Sequence, residues 1–178
     1  MQSDISQLIS KLHDAALVPE AWPAALRSFT ESVGVAGAAY IVCSKATGRV
    51  NLARFSGLSA ALESAYVDHY AALDPYSPPL SDGWVKLSEC PPEQLLRRSE
   101  WYNDFVLTCG VRDILAARLI DTASHCVFFG LHQQIGRTFP GKITSILNLV
   151  AGPLKQAARR HTQQLLSSHP TAPTPEFG

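Results

Sequence analysis

The sequence lacks a net charge, a long apolar run and a secretory signal, and each absence excludes a class of protein. Its 178 residues carry 15 basic and 15 acidic side chains, so the formal net charge is zero. Proteins that bind nucleic acids usually concentrate Lys and Arg on one surface, so we expect any role in DNA regulation to be indirect. The longest apolar runs, residues 35–43 and 126–131, are far shorter than the roughly 20 residues that span a bilayer. The start, residues 1–4, has no basic and apolar signal regions, which predicts a cytoplasmic protein that crosses no membrane.

Closely spaced cysteines are also missing. The cysteines form no C-x-x-C pair with metal-ligand or redox spacing; they are Cys43, Cys90, Cys109 and Cys126. In a cytoplasmic chain of this length, most such cysteines are small buried hydrophobic residues. The dipeptide Cys90-Pro91 keeps one alternative open, because a Cys-Pro pair can present a thiolate as an axial haem ligand.

Enzyme signatures are absent as well. The sequence contains no G-x-S-x-G elbow, P-loop, dinucleotide-binding G-x-G-x-x-G or H-E-x-x-H motif, and no nucleophile can be paired with a base. His125 and His132 lie on one predicted strand, where His132 shares a face with Cys126 while His125 points to the other face. We therefore predict that the chain is not an enzyme and needs no metal or cofactor.

What the sequence does contain is apolar patterning of a single globular domain, with 46% apolar residues. Spacing of three and four residues predicts helices at about 4–18, 23–33, 59–73, 91–109 and 141–166, the last kinked or interrupted at Pro153. Short β-prone runs predict strands at 38–43, 50–55, 84–87, 114–120 and 126–133. This order fits a largely antiparallel sheet of about five strands covered by helices, as in PAS and GAF domains. Residues 1–166 should form the domain, and the proline-rich residues 167–178 a tail or linker.

The most informative stretch runs from Tyr66 to Pro75 and continues at Trp84. Its aromatic residues Tyr66 and Tyr70 precede one acidic residue, Asp74, at the junction of a helix and a proline-bearing loop. Such a set can line a mostly apolar pocket with a single hydrogen-bond acceptor, as small-molecule sites do. The alternative is that the tyrosines are ordinary core residues and that Asp74 caps the backbone before Pro75.

At these residues the sequence resembles the N-terminal sensor domain of LuxR-type transcriptional regulators. The resemblance covers most of the chain and is carried by segments in the family's order and spacing: residues 21–26, 33–38, 55–58, 70–75, 99–105 with Gly110, and 149–154. It implies an α/β/α sandwich that binds a small ligand and passes its occupancy to DNA binding, usually within a dimer.

In the family's acyl-homoserine-lactone sensors, aromatic residues wall the pocket, an Asp accepts a hydrogen bond from the ligand amide, and a Trp contacts the head group. The matching positions are Tyr66, Tyr70, Asp74 and Trp84, and we assign Trp101 and Phe105 to the same predicted ligand site. The subgroup that this chain resembles is distant from the lactone sensors, so the small-molecule ligand stays unidentified, with an acyl-lactone-like compound as one candidate.

The family's helix-turn-helix is absent after Ser167, so we expect this polypeptide to sense and dimerise but not to bind DNA alone. The leading hypothesis is a small-molecule-sensing, dimerising domain of a LuxR-type quorum-sensing regulator, with its pocket between the sheet and the 59–73 helix. The alternatives are an interaction or dimerisation module without a ligand, and a haem-binding sensor.

Overall fold

An antiparallel sheet of five strands forms the middle layer of the protein. The structure, a computed structural model, describes residues 2–75, 83–89 and 96–168. The strands are β1 (Gly37–Ser44), β2 (Val50–Ser56), β3 (Trp84–Lys86), β4 (Val111–Asp121) and β5 (His125–Gln134), in the order β2-β1-β5-β4-β3. The longer helices are α1 (Gln2–Leu17), α2 (Trp22–Val33), α3 (Ala60–Asp68) and α4 (Ile143–Ser168). The predicted α/β/α sandwich with a five-stranded antiparallel sheet is confirmed.

The two faces of the sheet support two separate apolar cores, because successive side chains of a strand point to opposite sides. On one face, Tyr40, Phe129 and Leu115 pack with residues of α1, α2 and α4. On the other face, Ile41 and Phe128 pack with residues of α3 and of the segment after Ser99. We call these the helical face and the cavity face.

The N-terminal helices form as their sequence patterns predict. The buried side of α2 includes Trp22, Leu26 and Phe29. The helix ends at Gly34, whose φ of 80° is left-handed, and the Gly34 N–H donates to the Thr30 carbonyl. A residue without a Cβ adopts this conformation at little cost, which explains the sharp turn into β1.

The prediction of one continuous helix over residues 59–73 is wrong for the second half of that range. It begins as expected, since the Ser59 hydroxyl accepts from the Leu62 N–H, but α3 ends at Asp68. His69 has φ −136° and ψ −58°, and the chain continues as a 3-10 helix over Tyr70–Leu73. After this break, the Tyr70 ring stacks on Phe105 at a centroid distance of 4.9 Å.

The helix predicted to end at Gly110 also differs. Its start at Pro91 and Pro92 lies outside the described residues, and the described part is a π-helical segment over Trp101–Val106. The Ser99 hydroxyl accepts from the Tyr102 N–H and donates to the Leu96 carbonyl, so the helix restarts here. Side-chain bonds that compete with the helical ladder account for this interruption.

The C-terminal helix α4 runs through Pro153, so the predicted interruption does not occur there, and the helix continues to Ser168, past its predicted end at residue 166. Residues 169–178 and the Cys90-Pro91 pair, on which the haem alternative depends, lie outside the described residues. No helix within the described ranges is both long and apolar enough to cross a bilayer.

Candidate functional site

A row of three small residues across the middle of the sheet forms the floor of a cavity. Ala39 of β1 lies opposite Gly130 of β5, and Gly130 lies opposite Ala116 of β4. The next row on one side carries His132 and Ile114, and the next row on the other side carries Ile41 and Phe128. Because the middle row has no side chain beyond a Cβ, the larger neighbours leave a hollow above it. We call Ala39, Gly130 and Ala116 the small-residue row.

Aromatic side chains from three segments cover this floor. Tyr66 of α3 packs edge-on against Phe55 of β2, with ring centroids 5.4 Å apart, and lies 5.5 Å from Phe105. Trp101 also lines the cavity and is 2% exposed. These four rings, which we call the aromatic wall, exclude solvent from the small-residue row.

The polar feature of the wall is a hydrogen bond between Tyr66 and Asp74. The Tyr66 hydroxyl donates to Asp74 Oδ2 at 2.8 Å, and both residues line the cavity. Burial of the phenol, together with the negative charge of Asp74, raises the pKa of Tyr66 well above its usual value. Tyr66 is therefore a neutral donor at physiological pH, and Asp74 is a half-buried carboxylate at the cavity edge.

His132 adds a second polar group that the sequence did not assign to this site. It lies on β5 at the end of the cavity near Gly37, and its buried Nδ1 makes no hydrogen bond within the described part of the chain. Burial lowers the pKa of His132 to about 4. At neutral pH the ring is therefore uncharged, so one of its nitrogens donates and the other accepts.

The cavity between the floor and the wall is small. It encloses about 60 Å³, mainly among apolar atoms, whereas sites for drug-sized ligands commonly measure about 300–1,000 Å³. A single water molecule needs roughly 10–15 Å³ of such space, so the present volume suits a few waters or a very small guest. A ligand with an acyl chain can enter only if the aromatic wall moves outward.

The structure brings most of the residues predicted for the site together, but not all. Four of them line the cavity: Tyr66, Asp74, Trp101 and Phe105. Tyr70 stands behind the wall, stacked on Phe105. Trp84 belongs to the helical face, where its ring meets Phe129 edge-on at 6.1 Å, and the sheet separates it from the cavity.

Trp84 is excluded from the cavity by strand alternation. In the pairing of β3 with β4, Trp84 lies opposite Ala117 and Val85 lies opposite Ala116. Ala116 faces the cavity, so Val85 shares that face and Trp84 has the other. The sequence pattern also missed His132 and the small-residue row, because only the strand register reveals that these residues are neighbours.

The whole fold aligns with solved structures of bacterial proteins. The ligand-binding domain of VqsR from Pseudomonas aeruginosa matches with a TM-score of 0.69 and 16% identity, covering 89% of this chain and 96% of that one. CepR2 from Burkholderia cenocepacia, an N-acylhomoserine lactone dependent LuxR family transcription factor, matches with a TM-score of 0.66 and 16% identity over 94% of this chain and 99% of that one. This chain has the fold of a LuxR-type ligand-binding domain.

A third structure with the LuxR-type fold contains a ligand. SdiA, a protein of Escherichia coli, was solved in complex with octanoyl-rac-glycerol, and this structure matches with a TM-score of 0.57 and 15% identity. The match covers 98% of this chain and 64% of that one. The three proteins thus share their fold with this chain at low identity.

The fold of this chain is also similar to that of GAF domains, as predicted. The GAF domain of a sensor histidine kinase from Pseudomonas syringae matches with a TM-score of 0.53 and 17% identity, covering 94% of this chain and 93% of that one. No protein-family model matches the sequence, and no curated protein matches it either. The comparisons establish the fold, and the ligand has to be argued from the cavity.

Proposed function

We propose that the chain is a small-molecule-sensing domain whose ligand binds between the small-residue row and the aromatic wall. The observation that carries this proposal is an apolar cavity with a partly buried tyrosine–aspartate hydrogen bond at its edge. Small-molecule sites commonly combine apolar walls with a few fixed polar groups. The proposed contacts are the aromatic rings of Tyr66, Trp101 and Phe105, with Asp74 as acceptor and His132 as a second polar partner.

The proposed ligand is an uncharged molecule with an acyl chain and a polar head that carries an N–H or O–H donor. CepR2 is named as dependent on an N-acylhomoserine lactone, and the SdiA structure contains octanoyl-rac-glycerol. Both compounds fit this chemistry. The apolar floor of the cavity suits the acyl chain of the ligand, and the carboxylate of Asp74 can accept a hydrogen bond from the donor on the polar head of the ligand.

The proposed output is a change in conformation. The cavity of about 60 Å³ is too small for an acyl chain, so the liganded state must have a displaced wall. A ligand that prefers this state shifts the population toward it by its differential affinity. We propose that the domain acts in the cytoplasm, without catalysis, as a homodimer, and that a helix-turn-helix of the regulator converts this shift into transcription control.

Calorimetric titration of the full chain tests the site. The probes are N-octanoyl-homoserine lactone and 1-octanoylglycerol, and the variants are Asp74→Ala and, as a control, Asp68→Asn on the exposed side of α3. Loss of this half-buried acceptor should weaken binding by roughly 10-fold in Asp74→Ala, while Asp68→Asn should bind like the wild type. Equal affinity of Asp74→Ala would contradict the role of Asp74. Absence of binding by either probe, with a clean apo mass in native mass spectrometry, would favour an interaction module instead.

Sedimentation velocity tests the homodimer separately. Exposed apolar side chains on the helical layer supply candidate contacts, among them Leu17 at 60% and Leu149 at 62% exposure. A sedimentation coefficient that rises with protein concentration, and falls back in Leu17→Lys or Leu149→Lys, would support the dimer. A monomer at every concentration, with and without ligand, would contradict it.

A further inference from the structure

Two cysteines that are far apart in the sequence are direct neighbours in the sheet. Cys43 of β1 lies opposite Cys126 of β5, and both belong to the cavity face. Residues directly opposite in an antiparallel pair have Cα atoms about 4.5–5.5 Å apart. That separation falls within the range of about 4.4–6.8 Å over which a disulfide can form. The two thiols also contact each other through a hydrogen bond.

The surroundings of the pair make its members chemically unequal. The hydrogen bond from Cys43 lowers the pKa of Cys126 to about 7, and the positive charges of Lys45 and Arg118 act in the same direction, against the burial of Cys126 and the charge of Asp121. The shared hydrogen bond and burial raise the pKa of Cys43, and the charge of Asp74 adds to this shift. Cys126 is thus the thiol that ionises first, and Cys43 remains protonated beside it.

The cysteine pair is only partly shielded from solvent. Cys126 is 9% exposed, and Cys43 is half-buried at the wall of the cavity. The pair lies at the end of both strands, next to the turn between β4 and β5, where the Lys45 N–H donates to the Ser124 carbonyl. A small oxidant can reach this edge more easily than the centre of the sheet.

We propose that Cys43 and Cys126 form a reversible cross-strand disulfide when the protein meets a two-electron oxidant such as hydrogen peroxide. The Cys126 thiolate attacks one peroxide oxygen, so that an S–O bond forms, the O–O bond breaks, and the departing hydroxide takes up a proton as water. Cys126 is then a sulfenic acid. The Cys43 sulfur attacks it and loses its proton, the S–S bond forms, and the S–O bond breaks with release of a second water. Two thiols are oxidised and one peroxide is reduced.

Peptide mapping of the wild-type chain tests this assignment directly. Trypsin cuts after Lys and Arg and releases each cysteine on a separate peptide, with Cys43 on residues 28–45 and Cys126 on residues 119–137. After treatment of the native protein with peroxide and blocking of free thiols, we expect these two peptides to be linked. Dithiothreitol should separate them. Cys109, which is also half-buried, is an internal control. It should stay reduced, so that it carries the blocking reagent and forms no disulfide.

Two variants separate the attacking thiol from the resolving one. In Cys43→Ser, Cys126 should be oxidised further to the sulfinic acid, because the opposite thiol, which would capture the sulfenic acid, has been removed. In Cys126→Ser, Cys43 should stay reduced under the same treatment. The link should also lose its selectivity in urea, where the strands no longer hold the pair together. Reduced Cys43 and Cys126 in treated wild type, or equally frequent links to Cys90 and Cys109, would overturn the proposal.

Discussion

At the residue scale, the bond from the Tyr66 hydroxyl to Asp74 ties the end of the 3-10 segment back to α3. The two residues are eight positions apart, and the break at His69 allows them to meet. The sequence predicted that both residues belong to one site. It did not predict that they bond to each other, because a continuous helix over residues 59–73 would separate them by about two turns.

Removal of this hydroxyl should cost stability. Tyr66→Phe keeps the buried ring and deletes the donor to Asp74, so we expect the free energy of unfolding in urea to fall by about 1 kcal/mol. Tyr70→Phe is the matched control, since Tyr70 packs on Phe105 through its ring. An equal loss in both variants would show that the hydroxyl of Tyr66 has no special part.

The buried imidazole of His132 should make stability depend on pH. Burial lowers the pKa of His132 to about 4, against about 6.5 in the unfolded chain. Below pH 6.5 the unfolded chain therefore binds a proton that the native protein does not, and stability falls as the pH drops toward 4. The limiting slope for one such group is about 1.4 kcal/mol per pH unit.

Urea unfolding between pH 4 and 6.5 checks this slope. His132→Asn should have a shallower decline than the wild type, although not a flat one, because burial also lowers the pKa of His161 to about 4. Replacement of the exposed His13 by Asn serves as the control and should retain the wild-type slope. A parallel decline in His132→Asn and wild type would argue against the neutral buried imidazole.

At the scale of the elements, the strands and the N-terminal helices followed from the sequence, and the segments around the cavity did not. The α1 and α2 predictions agree with the structure to within a few residues because their apolar spacing is regular. The 59–73 and 91–109 predictions failed where His69 and Ser99 interrupt the helical ladder. Their apolar spacing remains compatible with a continuous helix, so spacing alone does not reveal the breaks. At Ser99 the break comes from local bonds between the side chain and the backbone.

Two glycines should respond differently to the same substitution. Gly34 ends α2 with φ 80°, so Gly34→Ala should lower the free energy of unfolding by about 1 kcal/mol. Gly152 lies on the exposed side of α4 with open space around it, but it precedes Pro153. The gain in helix propensity of Gly152→Ala, about 0.5–1 kcal/mol, is opposed by contact of the new Cβ with the proline ring, so its free energy of unfolding should change little. Thermal or urea unfolding measures both values. A stabilised Gly34→Ala would mean that the left-handed turn is not required.

At the scale of the whole molecule, the order of the strands determines which side chains meet. The strand β5 lies between β1 and β4, so residues 125–134 complete a surface begun by residues 37–44. This insertion creates both the small-residue row and the pairing of Cys43 with Cys126. A sequence shows the alternation of each strand, but the register between distant strands is a property of the assembled sheet.

The same arrangement allows a test of the cavity that separates binding from stability. Ala116 and Ala117 are consecutive on β4 and almost equally buried, at 4% and 5% exposure, but they face the cavity and the helical layer respectively. Glycine in a strand interior costs roughly 0.5–1 kcal/mol relative to alanine, so both Ala→Gly variants should lose similar stability. Only Ala116→Gly enlarges the proposed site.

We therefore expect Ala116→Gly to bind 1-octanoylglycerol at least as tightly as the wild type, and Ala116→Val to bind it roughly tenfold more weakly, because overfilling a packed space costs about 1–3 kcal/mol. Ala117→Gly should keep the wild-type affinity despite its lower stability. Calorimetric titration beside urea unfolding gives both quantities for each variant. If affinity followed stability across all three variants, the effect on binding would be indirect, and the ligand would have to enter the molecule somewhere other than above Ala39, Gly130 and Ala116.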